Sequence, residues 1–192
     1  GWAGAPTDRV HPHITLLSGG DVDDEELDAA IAHVRTIAAE ATPLHMVIGP
    51  VQTFHPAKPV IYLKVSGPGL ADIAELRDRV DDGPLEMPPA EYAFVPHVTL
   101  SVDATLAQIE GALASIDRYQ EVTVIDAITV LELGDDDTWR PFADAAFGAT
   151  TTTRTIGGEP VTVAVTKYPT HVGSTMCRFR SLSVEAFAAG RV

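Results

Sequence analysis

The chain has 192 residues, 45% of them hydrophobic and 21% charged, which fits one domain with or without an appendage and is enough to bury a real core. Its 13 Lys and Arg face 27 Asp and Glu, a net charge of −14, which argues against binding long duplex nucleic acid, because that affinity comes largely from basic side chains on phosphates. A single cysteine, Cys177, excludes an internal disulfide framework and a Cys-rich zinc cluster. No apolar run reaches membrane-spanning length and no leader pattern opens the chain, so the expectation is a cytoplasmic monomer with no membrane partner.

Taken in chain order, residues 10–17 read as a strand closed by the turn signal Ser18-Gly19-Gly20. Residues 21–41 read as a helix, with Leu27, Ile31, Val34 and Ala38 at helical spacing and acids in the first turn, where the helix dipole favours them. Strands are predicted at 44–51 and 60–65, with a loop over 52–59 that contains Phe54 and His55. A second helix spans 69–80, with Leu70, Ile73, Leu76 and Val80 on one stripe. A Pro-rich segment, 83–90, leads into a strand at 93–102. A third helix follows at 103–116, then a long strand at 121–133, an acidic turn and a further segment at 139–148. The order is that of an α+β fold.

Residues 149–192 differ in composition, carrying +3 against −17 for residues 1–148. The expected division is a domain at 1–148 and a C-terminal tail of unknown role. In that tail Thr150–Thr153 reads as a linker and 161–168 as one strand.

The pattern that carries chemistry is a phrase written twice: Pro12-His13-Ile14-Thr15-Leu16 and Pro96-His97-Val98-Thr99-Leu100. Successive side chains of a strand point to opposite faces. His13 and Thr15 therefore look one way while Ile14 and Leu16 look the other, and His97 with Thr99 repeats the arrangement over Val98 and Leu100. Each copy offers an imidazole beside a hydroxyl on a strand anchored from behind. Each is also followed by a helix and then a Val-rich strand, a weak internal repeat that implies two equivalent lobes.

Two His-x-Thr motifs about 80 residues apart, with strands and helices in this order, resemble the two-histidine (2H) phosphoesterase superfamily, in its 2′-5′ RNA ligase-like and cyclic phosphodiesterase branch. The likeness covers residues 10–148. Phe54 before Val60-Ile61-Tyr62-Leu63, the lead-in Tyr92-Ala93-Phe94-Val95-Pro96, and the close from Trp139 to Phe147-Gly148 support it. The resemblance implies two pseudo-symmetric lobes of antiparallel sheet with flanking helices around a central cleft. Members have a strand and a helix ahead of the first motif, whereas about ten residues precede it here. Truncation is the reading adopted for this departure. The alternatives are residues 161–168 filling the vacant strand position, or a tail from a neighbouring module or shifted frame.

The doubled motif supports acid–base work on a phosphodiester. Histidine suits both proton transfers because its pKa lies near neutrality. The threonine hydroxyls would bond the non-bridging oxygens and stabilise developing charge. His13 and His97 are the candidate catalytic residues and Thr15 and Thr99 the phosphate-binding ones, with no metal and no cofactor. The resemblance implies His97 as base towards water and His13 as acid towards the leaving group, roles that reverse with reaction direction. Phe54, His55, Tyr92 and Phe94 are candidate substrate contacts, each with an ordinary packing role as the alternative. His11 reads as strand entry or cleft rim, and Asp135–Asp137 as a solvated turn without ligand spacing. The expected activity is hydrolysis of a 2′,3′-cyclic phosphate or 2′-5′ diester in a small nucleotide or RNA terminus. Hydrolysis of cyclic oligonucleotide signals, or nucleotide binding without turnover, are the alternatives.

Overall fold

The structure is a computed structural model. It describes residues 12–18, 22–85, 87, 89–134, 136 and 138–148 with their side chains, and the backbone of four further strands at 5–6, 150–156, 159–165 and 182–188. In chain order the elements are β1 (Ala5–Pro6), β2 (Ile14–Ser18), α1 (Asp24–Glu40), β3 (Leu44–Thr53), β4 (Ile61–Ser66), α2 (Leu70–Asp81) and β5 (His97–Val102). They continue with α3 (Leu106–Ser115), β6 (Glu121–Leu133), β7 (Trp139–Ala146), β8 (Thr150–Ile156), β9 (Glu159–Val165) and β10 (Leu182–Ala188). The α+β class holds, and every strand pairing is antiparallel.

Local chemistry sets the helix boundaries. The first helix begins at Asp24 rather than 21 because Asp23 caps it, its carboxylate accepting from the backbone N–H of Glu25 (3.0 Å) and Glu26 (2.9 Å). Glu26 returns the bond to the Asp23 N–H, completing a capping box. Thr105 and Gln108 form the same device at the start of α3. Leu27, Ala30, Ile31, Val34, Ile37 and Ala38 form the buried stripe of α1, and Ile73, Leu76 and Val80 that of α2. Both stripes enter one core with Ile14, Leu16, Val98, Ile125, Ile128 and Phe147.

The sheet path runs β1-β5-β2-β10-β6-β3-β4, with β7 on β6 and a further β4–β5 pairing that returns the path to β5. Within it β2 meets β5 through the partners Ile14 and Val98. Both are buried, to 0% and 5% exposure, and full burial of such side chains stabilises by about 1.5–3 kcal/mol each. In β3 the register shifts between Ile48 and Val51, at Gly49-Pro50. Gly49 has φ +108° there, and a Cβ on it would lie 2.0 Å from the Tyr119 carbonyl oxygen. The bulge resets the alternation, so Val51 is buried after Met46 and Ile48 while Gln52 and Phe54 come out beside Tyr62.

Several segments differ from the sequence reading. The strand expected over 93–102 starts at His97, since Pro96 has no N–H to donate and residues 93–96 take no ladder bonds. The strand read over 44–51 continues through Thr53, the loop being held shut where the Thr53 hydroxyl donates to the Val60 carbonyl (2.8 Å). The Thr150–Thr153 run is not a linker but the start of β8, in keeping with the strand preference of β-branched residues. Its partner is β9, in a separate two-stranded sheet, so the predicted strand at 161–168 does not lie beside His13. That place is taken by β10, which pairs with β2 on one side and β6 on the other. Residues 10, 11, 135, 137 and 166–168, with His11 and most of the Asp135–Asp137 turn, lie outside the described residues.

Candidate active site

The register of β2 against β5 organises the site. Ile14 and Val98, the middle residues of the two motifs, are direct antiparallel partners. His13 therefore stands in the row of Thr99, and Thr15 in the row of His97. Because Ile14 and Val98 point into the core, alternation brings all four polar residues to the opposite face. Each of the four is half-buried, as the wall of a cleft would be.

His97 is held on three sides. Its Nδ1 lies 2.7 Å from the Val95 carbonyl oxygen. A carbonyl only accepts, so Nδ1 carries the hydrogen and Nε2 presents its lone pair. The ring meets Phe54 edge-on at 5.0 Å and 90°, and Tyr62 at 5.3 Å and 70°. Those two rings stack on each other at 4.1 Å. Burial lowers the His97 pKa below the ordinary 6.5; the Val95 bond opposes the shift and the charge of His13 adds to it. The imidazoles are thus close enough to feel each other, and His97 is biased towards its neutral form.

The predicted contact residues divide. Tyr92 and Phe94 line a cavity of about 370 Å³ together with Thr15, His97, Arg77 and Asp81. Phe54 lies against the His97 ring rather than in that cavity. His55 is exposed in the turn after β3, its backbone N–H bonded to the Thr53 hydroxyl at 3.0 Å. Exposed Tyr92 carries the Lys58 ammonium 4.4 Å from its ring centre, and its phenol is raised chiefly by a hydrogen bond with Glu91.

Sequence reasoning missed three participants. Tyr62 belongs to the site because the Thr99 partner on β4 is Tyr62, and its phenol donates to Gln52 Oε1 at 3.1 Å. Burial raises its pKa. Arg77 and Asp81, paired at 3.0 Å on α2, look in sequence like an ordinary i,i+4 ion pair; the fold is what brings them to the cavity. Among the described residues, no three His, Cys, Asp or Glu side chains are gathered so as to hold a metal ion, and no helix is long and apolar enough to cross a membrane.

A model of the 2′-5′ RNA ligase superfamily matches residues 2–137, a span that contains both motifs and every side chain placed in the site above. The chain belongs to that superfamily, the two-histidine phosphoesterases. It is 36% identical over 133 residues to a Bacillus cytotoxicus protein named "putative phosphoesterase", covering 68% of this chain and 75% of that one. A Bacillus licheniformis protein of the same printed name is 31% identical over 143 residues (73% and 82% of the two chains), and one from Bacillus cereus 34% over 133 (68% and 75%). As a member of the superfamily it has the α+β antiparallel fold that the doubled motif implied.

Proposed function

We propose that this superfamily member is a metal-independent phosphoesterase that opens a 2′,3′-cyclic phosphate or a 2′-5′ diester in a small nucleotide or at an RNA end. The observation that carries this reading is the Ile14–Val98 pairing, which sets an imidazole and a hydroxyl from each motif on one face. The names of the Bacillus relatives point to the same class of activity.

In the proposed reaction a water oxygen attacks phosphorus while His97 Nε2 takes its proton. The P–O bond to the leaving ribose oxygen breaks, and His13 in its charged form gives that oxygen a proton. The protein ends with the two imidazoles in exchanged protonation states, and solvent resets them. The lowered pKa of His97 and its Nδ1–H bond to Val95 support the base role, because a base must be neutral and must aim its lone pair at the cleft. Thr15 and Thr99 donate to the non-bridging oxygens, whose charge grows as the bond forms.

The test is hydrolysis of a panel of 2′,3′-cyclic nucleotides, 2′-5′ dinucleotides and cyclic dinucleotides with and without a chelator. Chelator-resistant turnover of one of the first two classes is expected. Binding without turnover of any of them would defeat the enzymatic reading, and turnover confined to cyclic dinucleotides would replace the substrate.

A further inference from the structure

We infer that Lys64 anchors a second phosphate group of the substrate, on the far side of His97 from the scissile one. The inference rests on the phosphoesterase reading of the same cleft. Strand β4 pairs with β5 so that Tyr62 faces Thr99, Leu63 faces Val98, and Lys64 faces His97. Leu63 and Val98 are buried in the core, so Lys64 emerges on the cleft face, as its neighbour two residues back, Tyr62, does. Directly opposed side chains of an antiparallel pair have their Cβ atoms about 4.5–5.5 Å apart. One row across the strands thus reads Lys64, His97, Thr15, and the next reads Tyr62, Thr99, His13.

Lys58, Arg77, Arg79, Arg118 and Arg140 each lie within ion-pair distance of a carboxylate, whereas among the described residues Lys64, like Arg35 on α1, does not; of these two, Lys64 is the one placed beside a motif histidine. It is exposed, a cation in a protein of net charge −14. A diester held between the two imidazoles sits on the Thr15 side of His97. A substituent that continues past His97 in the other direction runs along β4 and meets the ammonium. A flexible point charge with three donors suits a monoester phosphate there, which presents its oxygens without a fixed planar geometry. The preferred substrate class is therefore a nucleotide or RNA end that carries a phosphate besides the scissile diester, not a bare cyclic nucleoside phosphate.

The experiment compares two pairs of compounds on the intact chain. Calorimetric titration with adenosine 3′-phosphate and adenosine 3′,5′-bisphosphate gives a binding ratio that needs no turnover. Hydrolysis of adenosine 2′,3′-cyclic phosphate with and without a 5′-phosphate gives the matching kcat/KM ratio. The wild-type protein is expected to favour the doubly phosphorylated member by about tenfold at low salt, with the ratio shrinking as salt rises. Lys64→Ala and Lys64→Gln should bring the ratio close to one, Lys64→Arg should keep most of it, and Lys64→Glu should invert it. A ratio near one in the wild type, or one that survives in Lys64→Ala whether or not both compounds weaken, overturns the inference. A Lys64-dependent binding ratio with no hydrolysis of either cyclic compound would leave the anchor standing and sink the phosphoesterase reading.

Discussion

The two copies of the phrase are nearly identical in sequence and sit in unlike surroundings. The β5 copy is braced: β4 pairs along it from Lys64 to Ile61, Phe54 and Tyr62 hold the His97 ring by its edges, and Val95 fixes its tautomer. The β2 copy touches β5 through the one partner pair Ile14 and Val98, and its other edge is covered by β10, from the far end of the chain. Burial and the Val95 bond bias His97 towards its neutral form with the hydrogen on Nδ1, and the proposed mechanism gives the proton-donor role to His13.

Removing either imidazole is the largest test of this asymmetry. His13→Ala and His97→Ala should each lower kcat by about 10²–10⁴-fold while leaving the thermal transition in place. Near-wild-type hydrolysis by either variant defeats the two-histidine mechanism. Thr15→Val and Thr99→Val keep the β-branched shape and delete one donor each, and each is expected to cost about 10²-fold in kcat. A loss seen in KM alone would assign those hydroxyls to ground-state binding instead.

The shared backing should respond in stability rather than chemistry. Ile14→Ala empties a fully buried site behind both motifs and should cost about 2–5 kcal/mol, read from denaturant unfolding. A cost below 1 kcal/mol would mean that β2 is not seated on the core as described.

The smallest and most discriminating effect is on pH. In the proposed mechanism His97 acts in its neutral form, so kcat/KM should fall on the acid side as His97 protonates, below the ordinary histidine value of 6.5. Phe54→Ala opens one side of that ring to water, so the acid limb should move up towards 6.5; a limb that stays or moves down contradicts burial as the cause. Linkage gives a second reading. The unfolded chain binds a proton at His97 more readily than the native one, so this residue's share of stability is full above 6.5 and lost as pH falls towards its native pKa. The acid sensitivity of the unfolding midpoint should shrink in Phe54→Ala.

Much of the site was legible in the sequence because its parts are local. The offset of two residues between His and Thr is the period of a strand, so the shared face follows once the strand is granted. The helices were legible for the same reason, their stripes and capping acids being written in neighbouring residues. What was not legible depends on which strand lies beside which. Tyr62 and Lys64 gain a place beside the second motif only when β4 is paired with β5. Likewise, Phe54 reads as either a substrate contact or loop packing until the fold sets its ring edge-on to His97. The strand at 182–188 shows faint alternation in Leu182, Val184 and Ala186, but one short run names no partner, and its place between β2 and β6 is a long-range choice.

By itself the sequence determined the α+β class, the motif pair and the four side chains that share a face, since periodicity and residue chemistry act over a few positions. The tertiary structure alone decided how far the His97 imidazole is desolvated, which carbonyl fixes its proton and which cation stands across from it. Those are set by contacts between strands distant along the chain, where hydrogen-bond register and desolvation act through space.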